Sequence, residues 1–482
     1  MTPTLLVSRT SRRTAGYATA TSHCRFPEAA VGPRRLVGDE AEHEVRTPKA
    51  ATGRWSARFG AVVGAGACFV MMGKEDATPF GSPRRRRRLL LWRQPARSRQ
   101  RACAPTGMIY GRVVSAHADH VGSLLRPPEL LRAREAHAAG ELDPPSFKRI
   151  EDQAIREVIE LQEAAGCQVV TDGEFRRESF QSELTASVDG IEGVNIDAWL
   201  WGDWHSEVLG DKRVARPEAL AVTERLRRRR FLASEEFTFL RGHTDRIAKV
   251  TLPSPTLFAN LWDSRRSRAG YPRFDDFMGD VVAILLDEVR ELERLGATYV
   301  QLDAPHYPLL IDPAWRSFYE QRGWTLQQWL SYGIELDNAV IDAAPGVTFG
   351  FHLCRGNQDS RWLVAGGYDA IARPIFGAIK AHRLLLEYDD ERSGSFDPLA
   401  LVPDDKLVVL GLVTTKTPRV ETEEQLEQRI KMASRVIDLE RLALGTQCGF
   451  STSVVGNRIT VEAERRKLEV IARTAARVWP NG

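Results

Sequence analysis

The residues best able to do chemistry are a histidine and two cysteines. His352 and Cys354 flank Leu353 at the end of an apolar run, 347–353. On a strand, side chains two apart share a face, so imidazole and thiol project together. Thiolate plus imidazole favours zinc over magnesium or calcium. Taken alone, His-x-Cys equally suits a core histidine beside a small buried cysteine. Two further candidates weigh against that: Cys448, just after the apolar run 442–446, and Glu387, inside 383–388. Together they predict a zinc site of His352, Cys354 and Cys448, with Glu387 as a fourth, displaceable ligand. Reactive residues also close other apolar runs, in Asp119-His120-Val121-Gly122-Ser123, in Thr171-Asp172-Gly173-Glu174 and at Asp303. His117-x-Asp119-His120 is a weaker metal candidate, because His117 and Asp119 share one face and His120 takes the other.

These residues need a frame that gathers strand ends. Eight short apolar runs read as strands: 113–121, 167–171, 247–252, 299–302, 347–353, 383–388, 407–413 and 442–446. Amphipathic helices are predicted over 147–165, 281–295 and 425–439, the second stopped by Gly296. Alternating strands and helices in this number predict an α/β fold, a single (β/α)8 TIM-type barrel whose active residues sit at the C-terminal strand ends. The connection from about 187 to 246 is too long for a simple loop. It carries Trp199, Trp201, Trp204 and the run Arg227–Arg230. It reads as an insertion between strands two and three, a hairpin or helical excursion serving as a lid or as a contact in a homo-oligomer.

Charge divides the chain. Its 482 residues hold 67 Lys+Arg and 64 Asp+Glu, but residues 1–107 contain 20 basic and 7 acidic residues, against 47 and 57 in the remainder. Residues 1–107 lack sustained periodicity and cannot build a core. They read as a disordered extension: a transit-like segment, a basic patch at Arg84–Arg88, or sequence upstream of a true start at Met108. The expected domains are therefore 1–107 and a catalytic barrel over 108–482. Six scattered cysteines form no disulfide framework and suit a reducing, cytoplasmic setting. No apolar stretch is long enough to span a bilayer. The arginine runs lack interleaved aromatics, so no nucleic-acid partner is expected.

Residues 116–479 resemble the cobalamin-independent methionine synthase family: its C-terminal catalytic barrel and shorter single-barrel relatives. The carrying motifs are 119–127 (DHVGSLLRP), 171–177 (TDGEFRR), Gln301-Leu302-Asp303, His352-x-Cys354, Glu387 and Cys448-Gly449. The resemblance implies zinc ligands at His352, Cys354, Glu387 and Cys448. It further implies that Ser123, Glu174 and Asp303 hold the amino-acid part of homocysteine, with a methylated folate as donor and methionine as product. Carboxylates at Glu174 and Asp303 suit an ammonium group, although each equally suits a buried capping acid. Ser123 equally suits an ordinary Gly-Ser turn.

The chain departs from the family in three places. It has one barrel where the full-length enzyme has two. Ala304 stands before Pro305, where an acidic residue is common. The segment 413–419 (VTTKTPR) lacks the family's proton-donating histidine, leaving Lys416 as the catalytic stand-in, although a lysine near its ordinary pKa is a poor acid at pH 7. Two other readings keep the zinc. One is a thiol transferase opening epoxides with coenzyme M, whose sulfonate would want cations where Glu174 stands; the other is a non-catalytic zinc barrel used as a binding module.

Overall fold

The computed structural model describes residues 114–192, 201–216, 221–321 and 323–480. The predicted 1–107 extension and Trp199 lie outside the described residues. In chain order the strands are β1 (Val169–Val170), β2 (Val188–Glu192), β3 (Gly202–Trp204), β4 (Lys212–Val214), β5 (Ala221–Arg228), β6 (Ile247–Pro253), β7 (Tyr299–Asp303), β8 (Thr348–Leu353), β9 (Arg383–Glu387), β10 (Leu407–Val413) and β11 (Leu442–Thr446).

Seven of these form one parallel sheet in the order β1-β6-β7-β8-β9-β10-β11. Strands β7, β8 and β9 are buried at every position, as a parallel sheet covered on both faces requires. Helices supply the covering layer. Phe274–Leu295 buries Phe277, Met278, Val281, Leu285, Val289 and Leu292 on one stripe and ends on Gly296 at φ 93°, a left-handed stop that glycine adopts without a Cβ penalty. Pro144–Ala164 is capped by Asp143, which accepts from Ser146 N at 3.0 Å. Glu423–Ala433 opens on a reciprocal capping box between Thr422 and Gln425. All three helices begin ahead of the predicted starts, at 144, 274 and 423; for the first, the Asp143 cap and the prolines after it lie outside the apolar stripe. The third also ends early, at Ala433. Each fully buried Leu, Ile, Val or Phe contributes about 1.5–3 kcal/mol against exposure.

The first predicted strand, 113–121, is not a ladder strand among the described residues. It touches the sheet as a single parallel bridge, Ala118 to Leu444, with Asp119 N donating to Leu444 O at 3.0 Å. The reason is local. His120 N donates to the Asp119 carboxylate at 2.8 Å and Val121 N to Thr446 Oγ1 at 3.1 Å, so side chains take donors that a ladder would use. The segment nevertheless reaches both sheet edges: it bridges β11, and Ala118 N donates to Gln168 beside β1 at 3.5 Å. The sheet is therefore curled, with both edges brought round to this segment.

The long connection is two antiparallel pairs, β2 with β5 and β3 with β4, followed by the helix Ser234–Arg241. Its arginines are partly spent on ion pairs: Arg230 to Glu183 at 2.6 Å and Arg229 to Asp189 at 3.5 Å. The β3–β4 hairpin is stitched to the segment beyond β8, where His205 and Trp362 form an antiparallel bridge.

At the N-terminal ends of the strands the interior is ionic. Asp119 accepts from Lys249 at 2.8 Å through one oxygen, and from Tyr299 at 2.7 Å and Arg383 at 3.3 Å through the other. Burial would raise the Asp119 pKa, but Lys249 and Arg383 outweigh it and hold the carboxyl at about 2.

Candidate metal and ligand site

At the opposite, C-terminal ends of the strands lies a cavity of about 370 Å³. β8 delivers His352 and, one residue past its end, Cys354; Cys448 follows β11 by two residues. Ligand atoms of His352, Cys354 and Cys448 all lie within 4.8 Å of one another, and all three residues are buried. This is the juxtaposition predicted from strand parity. Both ring nitrogens of His352 are buried with no oxygen or nitrogen partner, and the ring interacts with the Cys354 sulfur. Cys448 hydrogen-bonds Cys354, which with His352 overcomes burial and holds the Cys354 thiol well below its usual range. The same bond and burial keep Cys448 protonated well above it. Burial lowers the His352 pKa, but Cys354 more than compensates and raises it. Two sulfurs and one imidazole fit a soft divalent ion, and zinc above the hard cations.

Glu387 stands outside that group. It is fully buried at the end of β9 and does not line the cavity. Its Oε1 faces Arg392 at 2.8 Å and Lys416 at 3.4 Å, and its Oε2 accepts from Arg355 N at 2.7 Å. Burial would raise its pKa, but Lys416, Arg392 and Arg355 win and keep it ionised. Lys416 also pairs with Asp389 at 3.2 Å. Burial pulls this ammonium down, yet Asp389 and Glu387 hold it above the usual lysine value, and it too is absent from the cavity lining.

Ser123, Glu174 and Asp303 do line the cavity beside the triad. Glu174 sits at φ 61°, directly after Gly173 at φ 71°, a left-handed pair that turns the carboxylate back over the strand ends. Its Oε1 accepts from Thr251 at 2.7 Å, while its Oε2 is buried without a partner. Asp303 accepts from Gln301 Nε2 at 2.8 Å; that amide is oriented by Lys249, which donates to its oxygen at 3.0 Å. Burial, opposed by His352 and aided by Glu174, raises the Asp303 pKa to about 7. Gly449 packs so closely on Ser123 that a Cβ would stand 1.9 Å from its Oγ. The Cys448–Gly449 turn is further held by Asn357 Nδ2, which donates to Gly449 O at 2.7 Å.

Sequence reasoning missed Phe180, Asn357 and Thr452, which complete the cavity wall. Asn357 and Thr452 lie three and four residues past metal-binding candidates on strand-end loops, and that offset was the available signal. Phe180 carried none. None of His117, Asp119 and His120 lines the cavity. His117 stacks on Trp479 with ring centroids 4.8 Å apart, and Asp119 belongs to the ionic floor.

Residues 117–470 match the family described as cobalamin-independent synthase, catalytic domain. The uncharacterized protein YxjH of Bacillus subtilis is 33% identical over 373 residues, covering 75% of this chain and 94% of that protein. The methionine synthase of Pyrococcus abyssi is 26% identical over 331 residues, covering 68% of this chain and 85% of its own. Among solved structures, a putative vitamin-B12 independent methionine synthase from Listeria monocytogenes superposes with a TM-score of 0.58 at 26% identity, covering 77% of this chain and 99% of that one.

Proposed function

This chain belongs to the cobalamin-independent synthase catalytic-domain family, and from that premise we propose that it is a zinc-dependent S-methyltransferase making methionine from homocysteine, with a methylated folate as donor. The observation that carries the reading is the buried His352, Cys354 and Cys448 cluster opening on a cavity whose wall holds the unpartnered Glu174 oxygen. The methionine synthases among its relatives support the choice of substrate.

In this reading His352, Cys354 and Cys448 hold the ion, with Glu387 as the candidate for an additional, displaceable contact. Bound zinc supplies the charge that keeps a substrate thiol deprotonated at neutral pH, where a free thiol of pKa about 8.5 is mostly protonated. Glu174 and Asp303 bind the homocysteine ammonium by charge-assisted hydrogen bonds, which the buried setting strengthens. Ser123 orients the amino-acid part, and Phe180 excludes water from the reacting sulfur. Lys416, the candidate donor to the departing folate, is held by Glu387 at 3.4 Å and Asp389 at 3.2 Å.

The wider proposals follow the same premise. Segment 114–121 closes the curled sheet as the eighth stave of a (β/α)8 barrel. Catalysis belongs to 108–482 and leaves 1–107 outside it. The enzyme works in the cytoplasm; among the described residues no helix is long and apolar enough to cross a membrane. The β3–β4 hairpin is the part best placed to contact a second copy.

The test is metal content with a methylation assay on the full chain and its Cys354→Ser variant. About one zinc per chain is expected, as in sites of this ligand type, together with transfer of a folate methyl group to homocysteine. In Cys354→Ser both should fall by more than the roughly 10–100-fold that losing a mere supporting partner costs. Carefully purified protein without zinc would sink the reading.

A further inference from the structure

We propose that Arg126 is the positioning residue for recognition of the substrate's amino group: its guanidinium ties the Glu174–Arg177 turn to the Ser451–Ser453 loop and so fixes the Glu174 carboxylate relative to Cys448. The inference rests on the homocysteine reading above and adds the residue that sets its amino-group subsite.

Three observations carry it. First, the guanidinium is buried and holds two loops at once. Nη2 donates to Glu174 O at 2.8 Å and Arg177 O at 2.9 Å. Nη1 donates to Ser451 O at 3.1 Å, Ser451 Oγ at 2.9 Å and Ser453 O at 3.1 Å. All of these acceptors are neutral. Burying a cation among them is costly, and an apolar side chain could fill the same space; the planar fork of arginine adds the power to hold two backbones at one separation. Second, the residue it grips has an unusual backbone. Glu174 has φ 61°, uncommon for a residue with a Cβ. Its N–H is pinned by Asp172 Oδ1 at 2.9 Å and its carbonyl by Arg126. Such a conformation persists only where its surroundings dictate it, and it carries the carboxylate whose Oε2 stands unpartnered at the cavity. Third, Arg126 follows closely on Ser123, whose carbonyl accepts from Phe450 N at 2.8 Å. The Ser123 loop, Glu174 and the loop that follows Cys448 therefore meet at one side chain.

The metal side does not depend on this tie. The Cys448–Gly449 turn is held separately by Asn357 Nδ2 at 2.7 Å and Thr415 Oγ1 at 3.0 Å, both donating to Gly449 O. Releasing Arg126 therefore frees Glu174 to relax to an ordinary φ while the cysteines stay in place. Arg126 does not line the cavity, so it acts through Glu174 and not by touching substrate.

The experiment measures, by calorimetry on the zinc-loaded full chain, the binding of L-homocysteine and of γ-mercaptobutyrate, the same thiol without its amino group. It compares wild type, Arg126→Lys, Glu174→Gln and the double variant. Arg126→Lys keeps the charge but loses the fork. It should weaken homocysteine binding roughly 10- to 100-fold, as loss of a hydrogen bond to a charged group does, and leave γ-mercaptobutyrate binding and zinc content as in wild type. The double variant should bind homocysteine no more weakly than Glu174→Gln alone, because two changes acting through one contact do not add. Equal losses for the two thiols, loss of zinc, or additive effects in the double variant would each overturn the inference, as would a folded Arg126→Lys protein identical to wild type. Should Arg126→Lys fail to fold, Ser451→Ala decides: it removes one Nη1 acceptor and should show the same selective loss in smaller measure, and a loss shared by both thiols, or none, overturns the inference. Wild-type protein that holds no zinc, or that binds the two thiols equally, removes the homocysteine reading and this inference with it, an outcome read before any variant is compared.

Discussion

Asp119 and Asp303 are the same chemical group at nearly the same burial, 3% and 4% exposed, at opposite ends of one curled sheet. On the floor, Asp119 has Lys249, Arg383 and Tyr299 around it and titrates at about 2. At the mouth, Asp303 has a glutamine amide, a nearby Glu174 and a pKa of about 7. Burial acts on both in the same direction; what differs is whether cations answer it. The floor's carboxylate is matched by close cations within the fold, while at the mouth Glu174 has only a 3.8 Å contact to Arg177 and Asp303 a neutral amide. A buried acid's neighbours, more than its burial, thus separate a structural ion pair from a binding group.

The largest break in this comparison should come from Asp119→Asn, which strands Lys249 and Arg383. Loss of one partner from a buried ionic cluster costs about 3–5 kcal/mol, readable by urea unfolding, while zinc per folded chain stays constant. The pH dependence has a definite sign. Asp119 is depressed in the fold, so its stabilisation is present above the unfolded value near 3.8 and fades as pH falls toward 2. That contribution is about 2 kcal/mol, and Asp119→Asn should flatten the acid limb by that amount.

At the mouth, Glu174→Gln should weaken homocysteine binding by about 1.5–3 kcal/mol, the worth of a hydrogen bond to a charged group. Its melting temperature should fall by less than that of Asp119→Asn, because Glu174 loses only a 3.8 Å contact to Arg177, while its Oε2 has no internal partner. A fall comparable to that of Asp119→Asn would erase the distinction between the two ends. Gly449→Ala is a finer probe: the added Cβ meets Ser123 Oγ. Overpacking costs about 1–3 kcal/mol, and calorimetry should show weaker homocysteine binding with zinc retained.

The smallest expected effect concerns Glu464, on the helix Val461–Val478, whose carboxylate receives Leu125 N at 2.9 Å. Burial, opposed by that bond, raises its pKa to about 8. A raised acid stabilises fully below its unfolded value near 4.5 and loses that contribution as pH rises through 8. Glu464→Gln should therefore melt a few degrees above wild type at pH 9 and level with it at pH 5. Equal melting at both values would show that Glu464 is answered like Asp119.

The site was legible where strand parity decided it. His352 and Cys354 share a face by spacing alone, and Cys448 needed only the sheet to curl. Seven of the eight predicted strands form the observed sheet; the exception, 113–121, is where Asp119 and Thr446 side chains capture backbone donors. Propensity and apolar pattern carry no such information. The setting of Glu387 was hidden for a similar reason. Arg392 and Lys416 reach it from two separate loops, and no local pattern encodes that meeting. The insertion's two small antiparallel pairs were equally faint, since short strands rich in Arg and Trp read as surface.

The bridge between segment 114–121 and β11 has a kinetic consequence. Its contacts join the first described residues to nearly the last: His117 Nδ1 lies 2.6 Å from Leu442 O, 325 positions away, and Leu125 depends on Glu464, 339 positions away. Long-range closure of this kind slows folding, because chain entropy is lost before the contacts reward it. During synthesis from the N-terminus, the Ser123 loop waits until Cys448 and the final helix have emerged. The thiol pair is therefore completed late in synthesis, and chains truncated before residue 448 carry half of it.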